Sequence, residues 1–234
     1  MDGELARLLA QATTASLSSQ LAKRGMRSRA IAGIAPLNPA AGRVFGPAYT
    51  LRYIPAREDL TTSAAMASPE NPHRKAVETA PPGHVLVVDT HGMDVSGTFG
   101  DILVARLHVR GVAGIVSDGP MRDVAELRRM PLPVFARGNA APPSYTSMMA
   151  VDAQVAVSCG GVATFPGDIV VGDADGVVVV PAHLAREVAA DAVEQDRLEA
   201  YVRQRVEAGA STFDVYPPND ATRAAYMASR GKGG

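Results

Sequence analysis

Residues 84–138 read HVLVVDTHGMDVSGTFGDILVARLHVRGVAGIVSDGPMRDVAELRRMPLPVFARG, and this stretch decides the fold class. Three short apolar runs, HVLVVDT, VAGIVSDG and PVFARG, read as strands, and FGDILVARLHVRG and VAELRRM between them read as helices. Strands alternating with helices of this size imply βαβ units and a parallel portion of sheet. In open α/β sheets the crevice at the carboxyl ends of the strands receives ligands.

Outward from this core the pattern changes. Towards the N-terminus, residues 4–23 show helical spacing stopped by Gly25, with the polar run Ser16 to Gln20 as the expected break. IAGIAPL (31–37) and RVFGPAYTLRYI (43–54) predict two strands joined by a Pro/Gly turn. Residues 56–83 are polar and proline-bearing, which predicts a long loop carrying a short helix and no core element. After Asn139 come further strands, AQVAVSC, GVATF, DIVVGD and GVVVVP, the last pair joined by an Ala-Asp-Gly hairpin turn. Residues 183–208 form the longest helical stretch, closed by Gly209. The expected organisation is one domain over 1–217 and a flexible tail over 218–234.

Composition narrows the function classes. The 234 residues carry 23 Lys+Arg against 24 Asp+Glu, so no bulk basic face for nucleic acid is encoded. The lone Cys159 permits no intrachain disulfide, and no apolar run approaches the roughly 18 residues of a membrane span. A soluble cytoplasmic protein is expected, with neither membrane nor nucleic acid as partner. No GxSxG, HExxH, GxGxxG or GxxxxGK[ST] motif occurs.

The chemistry concentrates in residues 97–127. Gly97 and Gly100 bracket a helix start, so the N–H groups of Gly100, Asp101, Ile102 and Leu103 can face a carboxylate. The same residues also suit an ordinary glycine-bearing helix start, with Asp101 as its N-terminal acid. Asp118-Gly119-Pro120-Met121-Arg122-Asp123 follows the next strand, where Asp123 and Glu126 equally form a capping pair. Because the turns belong to consecutive βα units, both can face one crevice. Together they supply backbone donors, an arginine and carboxylates, the parts for holding a 2-oxo acid beside a hard divalent cation.

At these residues the sequence resembles the RraA-like family, which includes metal-dependent 4-hydroxy-4-methyl-2-oxoglutarate / 4-carboxy-4-hydroxy-2-oxoadipate aldolases and regulators of ribonuclease E activity. The markers, in order, are GIAPL (33–37), GRVFGPAYTL (42–51), PPGHVLVVD (81–89), Gly100-Asp101, GVAGIVSDGPMRD (111–123) and PGDIVVGDADGVVVVP (166–181). The resemblance runs from about Ala15 to Pro217. It implies a layered β/β/α, swivelling phosphohistidine-domain-like α/β fold with a mixed sheet, assembled as a trimer or a pair of trimers.

The resemblance also implies site roles. Gly100, Asp101, Ile102 and Leu103 bind the substrate carboxylate through their amides, and Arg122 binds substrate and stabilises the pyruvate enolate. Asp123 holds Mg2+ or Mn2+, and Asp101 positions an acid/base water. An acidic residue from a neighbouring subunit's C-terminal helix joins them, with Glu199, Asp196 and Glu194 as candidates and Glu199 preferred. The implied activity is aldolase cleavage of a 4-hydroxy-2-oxo acid to pyruvate and an oxo compound, with oxaloacetate decarboxylation beside it. The alternative is a non-catalytic regulator of ribonuclease acting by protein–protein binding. Ser18-Ser19-Gln20-Leu21 replaces an Asp-Ala-Leu stretch common in the family's early helix. The long 56–83 segment, with Arg57, Glu58, His73 and Arg74, points to a different or larger substrate.

Overall fold

The computed structural model describes residues 1–230. Asp2 accepts hydrogen bonds from the Glu4 and Leu5 amides and opens α1 (Gly3–Gln11), and Thr13 accepts from the Ser16 amide and opens α2 (Thr14–Lys23). The break between them therefore falls at Ala12 and Thr13, not at the expected Ser16 to Gln20. Ser16 and Gln20 are instead buried, bonded to Asp196 and Gln195.

β1 (Ala35–Pro36) and β2 (Val44–Pro55) do not form the expected hairpin. Pro36 and Pro39 lack ladder donors. Asn38 ties the segment to the far edge of the sheet, donating to the Met130 and Leu132 carbonyls and accepting from the Val134 amide. The 56–83 segment holds two helices, α3 (Ser63–Ala67) and α4 (Pro72–Thr79), and α4 corrects the expectation of a coreless loop. Asn71 caps it, Pro72 opens it, and His73, Ala76, Val77 and Ala80 are buried. Small residues at i, i+3 and i+4 make an apolar stripe too thin to stand out among charged neighbours.

The alternating centre is as expected: β3 (Val85–Asp89), α5 (Asp101–Val109), β4 (Gly114–Ser117), α6 (Val124–Leu127, a single turn) and β5 (Val134–Ala136). The expected AQVAVSC strand divides. β6 (Met148–Ala153) ends before Gln154, whose φ is +59, and β7 (Val157–Cys159) starts anew. β8 (Val162–Thr164), β9 (Ile169–Asp173) and β10 (Gly176–Val180) follow, then the long α7 (Ala185–Glu207) and α8 (Thr212–Val215). The expected flexible tail is helical over its described part: α9 (Asp220–Arg230) buries Thr222 and Tyr226.

One mixed sheet runs β1-β5-β4-β3-β2-β9-β10, with β6 also on β2, and a separate hairpin pairs β7 with β8. β2 to β5 are mutually parallel, as the βαβ reading requires, and β9 and β10 form the expected hairpin. The period of two splits β3 cleanly. Leu86 and Val88 pack with Phe99, Val104 and Leu107 on the helical side, while Val85 and Val87 face Phe135, Val157 and Val162 on the other. A third cluster joins Leu9, Leu17 and Leu21 to Val188, Ala189 and Ala192 of α7 over β9 and β10. This is the layered mixed α/β fold that the resemblance implied. No helix among the described residues is long and apolar enough to cross a membrane.

Candidate functional site

The site is built where the β3–α5 and β4–α6 turns meet. Thr98 N–H and Oγ1 both reach the Pro120 carbonyl, and Arg122 N–H donates to the Phe99 carbonyl at 2.9 Å. These bonds lock one turn against the other. Gly97 is required by close approach: a Cβ there would stand 2.3 Å from Arg122 Cγ and 2.9 Å from the Met121 carbonyl carbon. The arginine stem thus lies across bare backbone, and the residue is half-buried.

Gly100 is the N-cap of α5, and its side-chain space is occupied by another residue. A Cβ on it would meet Asp123 Oδ2 at 2.3 Å. Asp123 in turn adopts φ +54, ψ +37, a left-handed conformation uncommon outside glycine, and it serves as N-cap of α6 without a side-chain capping bond. Its carboxylate turns back to α5, where the Asp101 amide lies 3.4 Å from Oδ2. Asp101 Oδ1 accepts from the Ile102 amide at 2.8 Å. Of the two readings left open by spacing, simple capping of α6 by Asp123 is absent, and the carboxylate faces the positive end of α5 instead.

The structure therefore brings together Gly100, Asp101, Ile102, Leu103, Arg122 and Asp123. Ile102 is exposed, and Leu103 packs partly into the core. Beside them lies a cavity of about 350 Å³ lined by Met121, Arg122, Asp123, Val124, Asn139, Ala140 and Ala141. The wall from Asn139 to Ala141 carries no motif that marks it in the sequence. Its signal is its position, since it follows β5 just as the other two turns follow β3 and β4. Glu126 is not part of the cluster; it pairs with Arg129 on the exposed side of α6.

The C-terminal acids separate by their partners. Asp196 accepts from Thr13 N–H and Oγ1 and from Ser16 Oγ, so it anchors the start of α2. Glu194 pairs with Arg230. Among the described residues, Glu199 accepts only from Gln195 Nε2, and it lines a different cavity with Tyr216 and Tyr226. Among the described residues, none of these three acids bonds to Asp123 within one chain.

Among the described residues no three His, Cys, Asp or Glu side chains cluster to hold a metal. Asp101 and Asp123 nevertheless fit a hard cation. Both offer carboxylate oxygens at one helix end, and an ion such as Mg2+ keeps several waters and takes one or two carboxylates. In the 56–83 segment, Arg57 pairs with Asp59 in solvent, whereas His73 is buried with its ring 4.3 Å from that of Phe99, directly before Gly100. Burial pushes the His73 pKa down to about 4, so the ring is neutral.

Comparison with known proteins shows what the chain is similar to. A family model described as RraA-like (Aldolase/RraA) matches residues 14–179. A protein of Halalkalibacterium halodurans named "Putative 4-hydroxy-4-methyl-2-oxoglutarate aldolase" is 39% identical over 107 residues, 46% of this chain and 50% of that one. The chain thus spans about half the length of that curated relative. Among solved structures, Streptomyces coelicolor RraAS2, described as an unusual member of the RNase ES inhibitor RraA family, is 36% identical with a TM-score of 0.75, covering 87% of this chain and 97% of that one. An uncharacterised Pseudomonas syringae protein superposes with a TM-score of 0.81 at 26% identity, covering 92% and 93%.

Proposed function

Because the chain belongs to the RraA-like family, we propose that it is a divalent-metal-dependent carbon–carbon lyase, an aldolase cleaving a 4-hydroxy-2-oxo acid to pyruvate and a second oxo compound. Oxaloacetate decarboxylation is the proposed side activity. One observation carries this reading: Asp123 is held in a left-handed conformation with its carboxylate filling the space beside Gly100, next to Arg122 and the start of α5. Residues held in such conformations, which cost about 1–3 kcal/mol, cluster at active sites and ligand clamps.

In this reading the amides from Gly100 to Leu103 receive the substrate carboxylate, helped by the positive end of α5. Arg122 lies against the 2-oxo group and stabilises the enolate charge as it develops. Asp123, with Glu199 of a neighbouring copy, would hold Mg2+ or Mn2+, which when bound polarises the 2-oxo group. A water held by Asp101 takes the proton from the 4-hydroxyl, the C3–C4 bond breaks, and its electron pair forms the enolate. The proton returned to C3 releases pyruvate. The proposed assembly is a homotrimer or hexamer in the cytoplasm. Arg74, beside Met66, Ala67 and Tyr145 in a cavity of about 280 Å³, is where the 56–83 segment would meet a larger substrate.

The test is pyruvate release from 4-hydroxy-4-methyl-2-oxoglutarate, 4-carboxy-4-hydroxy-2-oxoadipate and oxaloacetate with added Mg2+ or Mn2+. If metal-loaded protein leaves all three intact, or Asp123→Ala keeps full activity, the reading fails. The likeness to RraAS2 over nearly the whole of that chain supports a second reading, a regulator that binds a ribonuclease without catalysis. Capture of a ribonuclease by protein that binds no metal would favour it.

A further inference from the structure

A second crevice opens at the ends of the same strands, on the layer where β7 and β8 pack. Its volume is about 260 Å³, and its lining includes His91, Gly92, Asp118, Arg137, Ser158 and Gly161. Two carboxylates lie beneath it, Asp89 and Asp118, each only 2% exposed. Their oxygens are occupied. Asp118 accepts from Thr90 N–H and Oγ1 and from Gly160 N–H, and Asp89 accepts from the His91 and Ser158 amides. Hydrogen-bond donors from within the fold thus satisfy both carboxylates.

Arg137 is held differently. Its Nε donates to the Asp118 carbonyl at 2.7 Å, which fixes the plane of the guanidinium. A Cβ at Gly33 would stand 3.1 Å from Nη2, and one at Gly92 3.3 Å from it. The planar group therefore lies close against two side-chain-free residues whose φ values are +74 and +67. Among the described residues, neither Nη1 nor Nη2 makes a hydrogen bond, and neither forms an ion pair with a carboxylate within 4.0 Å. Were the arginine there to neutralise Asp118, it would meet that carboxylate. Instead its fork is oriented by a carbonyl and left open to the crevice, the geometry that receives carboxylate or phosphate oxygens in pairs.

We propose that this crevice is a second binding site, for a small oxyanion, a carboxylate or phosphate group, received by the open fork of Arg137. It shares no residue with the Arg122–Asp123 cluster and is independent of the aldolase reading. The β7–β8 hairpin forms its rim: Gly160 and Gly161 turn with φ +50 and +81, and a Cβ at Gly161 would meet nothing within 4 Å. That open position gives a test that leaves Arg137 untouched.

The experiment follows thermal unfolding of the full chain in sodium phosphate, or in sodium acetate, against sodium chloride of equal ionic strength. A bound oxyanion raises Tm with a saturating concentration dependence, by about 5 °C or more at a hundredfold excess over Kd. Protection by phosphate alone marks a phosphate ligand, and by acetate a carboxylate. Measured in Arg122→Met protein, so that the carboxylate contact proposed for Arg122 does not contribute, the rise is expected to persist, to survive added Gly161→Asn, and to vanish with added Arg137→Met or Gly161→Asp, which sets a negative charge at the rim. If Arg137→Met does not fold, the Gly161 pair decides. A Tm indifferent to both anions, a rise that persists in Gly161→Asp, or one abolished by Arg122→Met overturns the proposal.

Discussion

Gly100→Ala is the sharpest probe of the candidate site. The backbone of Gly100, at φ −104 and ψ 179, is open to any residue, so alanine brings no conformational strain. Its only consequence is steric: the new methyl would lie 2.3 Å from Asp123 Oδ2, against an ordinary contact above 3.4 Å. The carboxylate must withdraw by about 1 Å, and a displacement of that size at a reacting group costs about 10²-fold in rate, or about 2.7 kcal/mol in the barrier. Since Asp123 is exposed, folding stability should change by less than about 1 kcal/mol. The assay pairs kcat/KM for pyruvate release with Mn2+ affinity and Tm. Unchanged kcat/KM and unchanged Mn2+ affinity, with Tm preserved, would refute the idea that Gly100 seats the Asp123 carboxylate.

The C-terminal acids should separate in the same way. Asp196→Ala removes three hydrogen bonds at the start of α2 and should cost about 1–3 kcal/mol of stability in chemical denaturation. Glu199→Gln should leave stability unchanged and lower activity at least tenfold; equal activity would exclude Glu199 as the neighbour's contribution. His73 gives a pH signature. Its folded pKa, about 4, lies below the unfolded value near 6.5, so the unfolded chain binds the extra proton between those values. Stability is therefore full above about pH 6.5 and falls by about 3 kcal/mol as the pH drops towards 4. His73→Phe should flatten that slope, and an unchanged slope would assign it elsewhere.

Much of this was legible in the chain. The alternation from His84 to Gly138 carries the parallel sheet because each strand is apolar on both faces and each helix begins at a glycine or acid. The two turns of the site were legible for the same reason. What stayed hidden was tertiary. α4 is a core helix through small residues and one histidine, and β1 abandons β2 because Asn38 bonds across to β5. The left-handed Asp123 follows from Gly100 giving it room, a relation between residues 23 positions apart that no local propensity encodes. Separation of Asp196 from Glu199 required knowing which acid the start of α2 had already engaged.

The packing of α1 and α2 on α7 has a consequence for biosynthesis. Most of the cluster that covers Leu9, Leu17 and Leu21 comes from residues 185–193 and from β9 and β10, all of which leave the ribosome much later. At about 5–20 residues per second, the first helices wait roughly 10–40 s with apolar faces uncovered. The nascent chain therefore presents a sticky leading segment for most of its synthesis. Chaperone demand should be concentrated there, and polar substitutions at Leu17 or Leu21 should lower the soluble yield in cells before they alter anything at the βα turns.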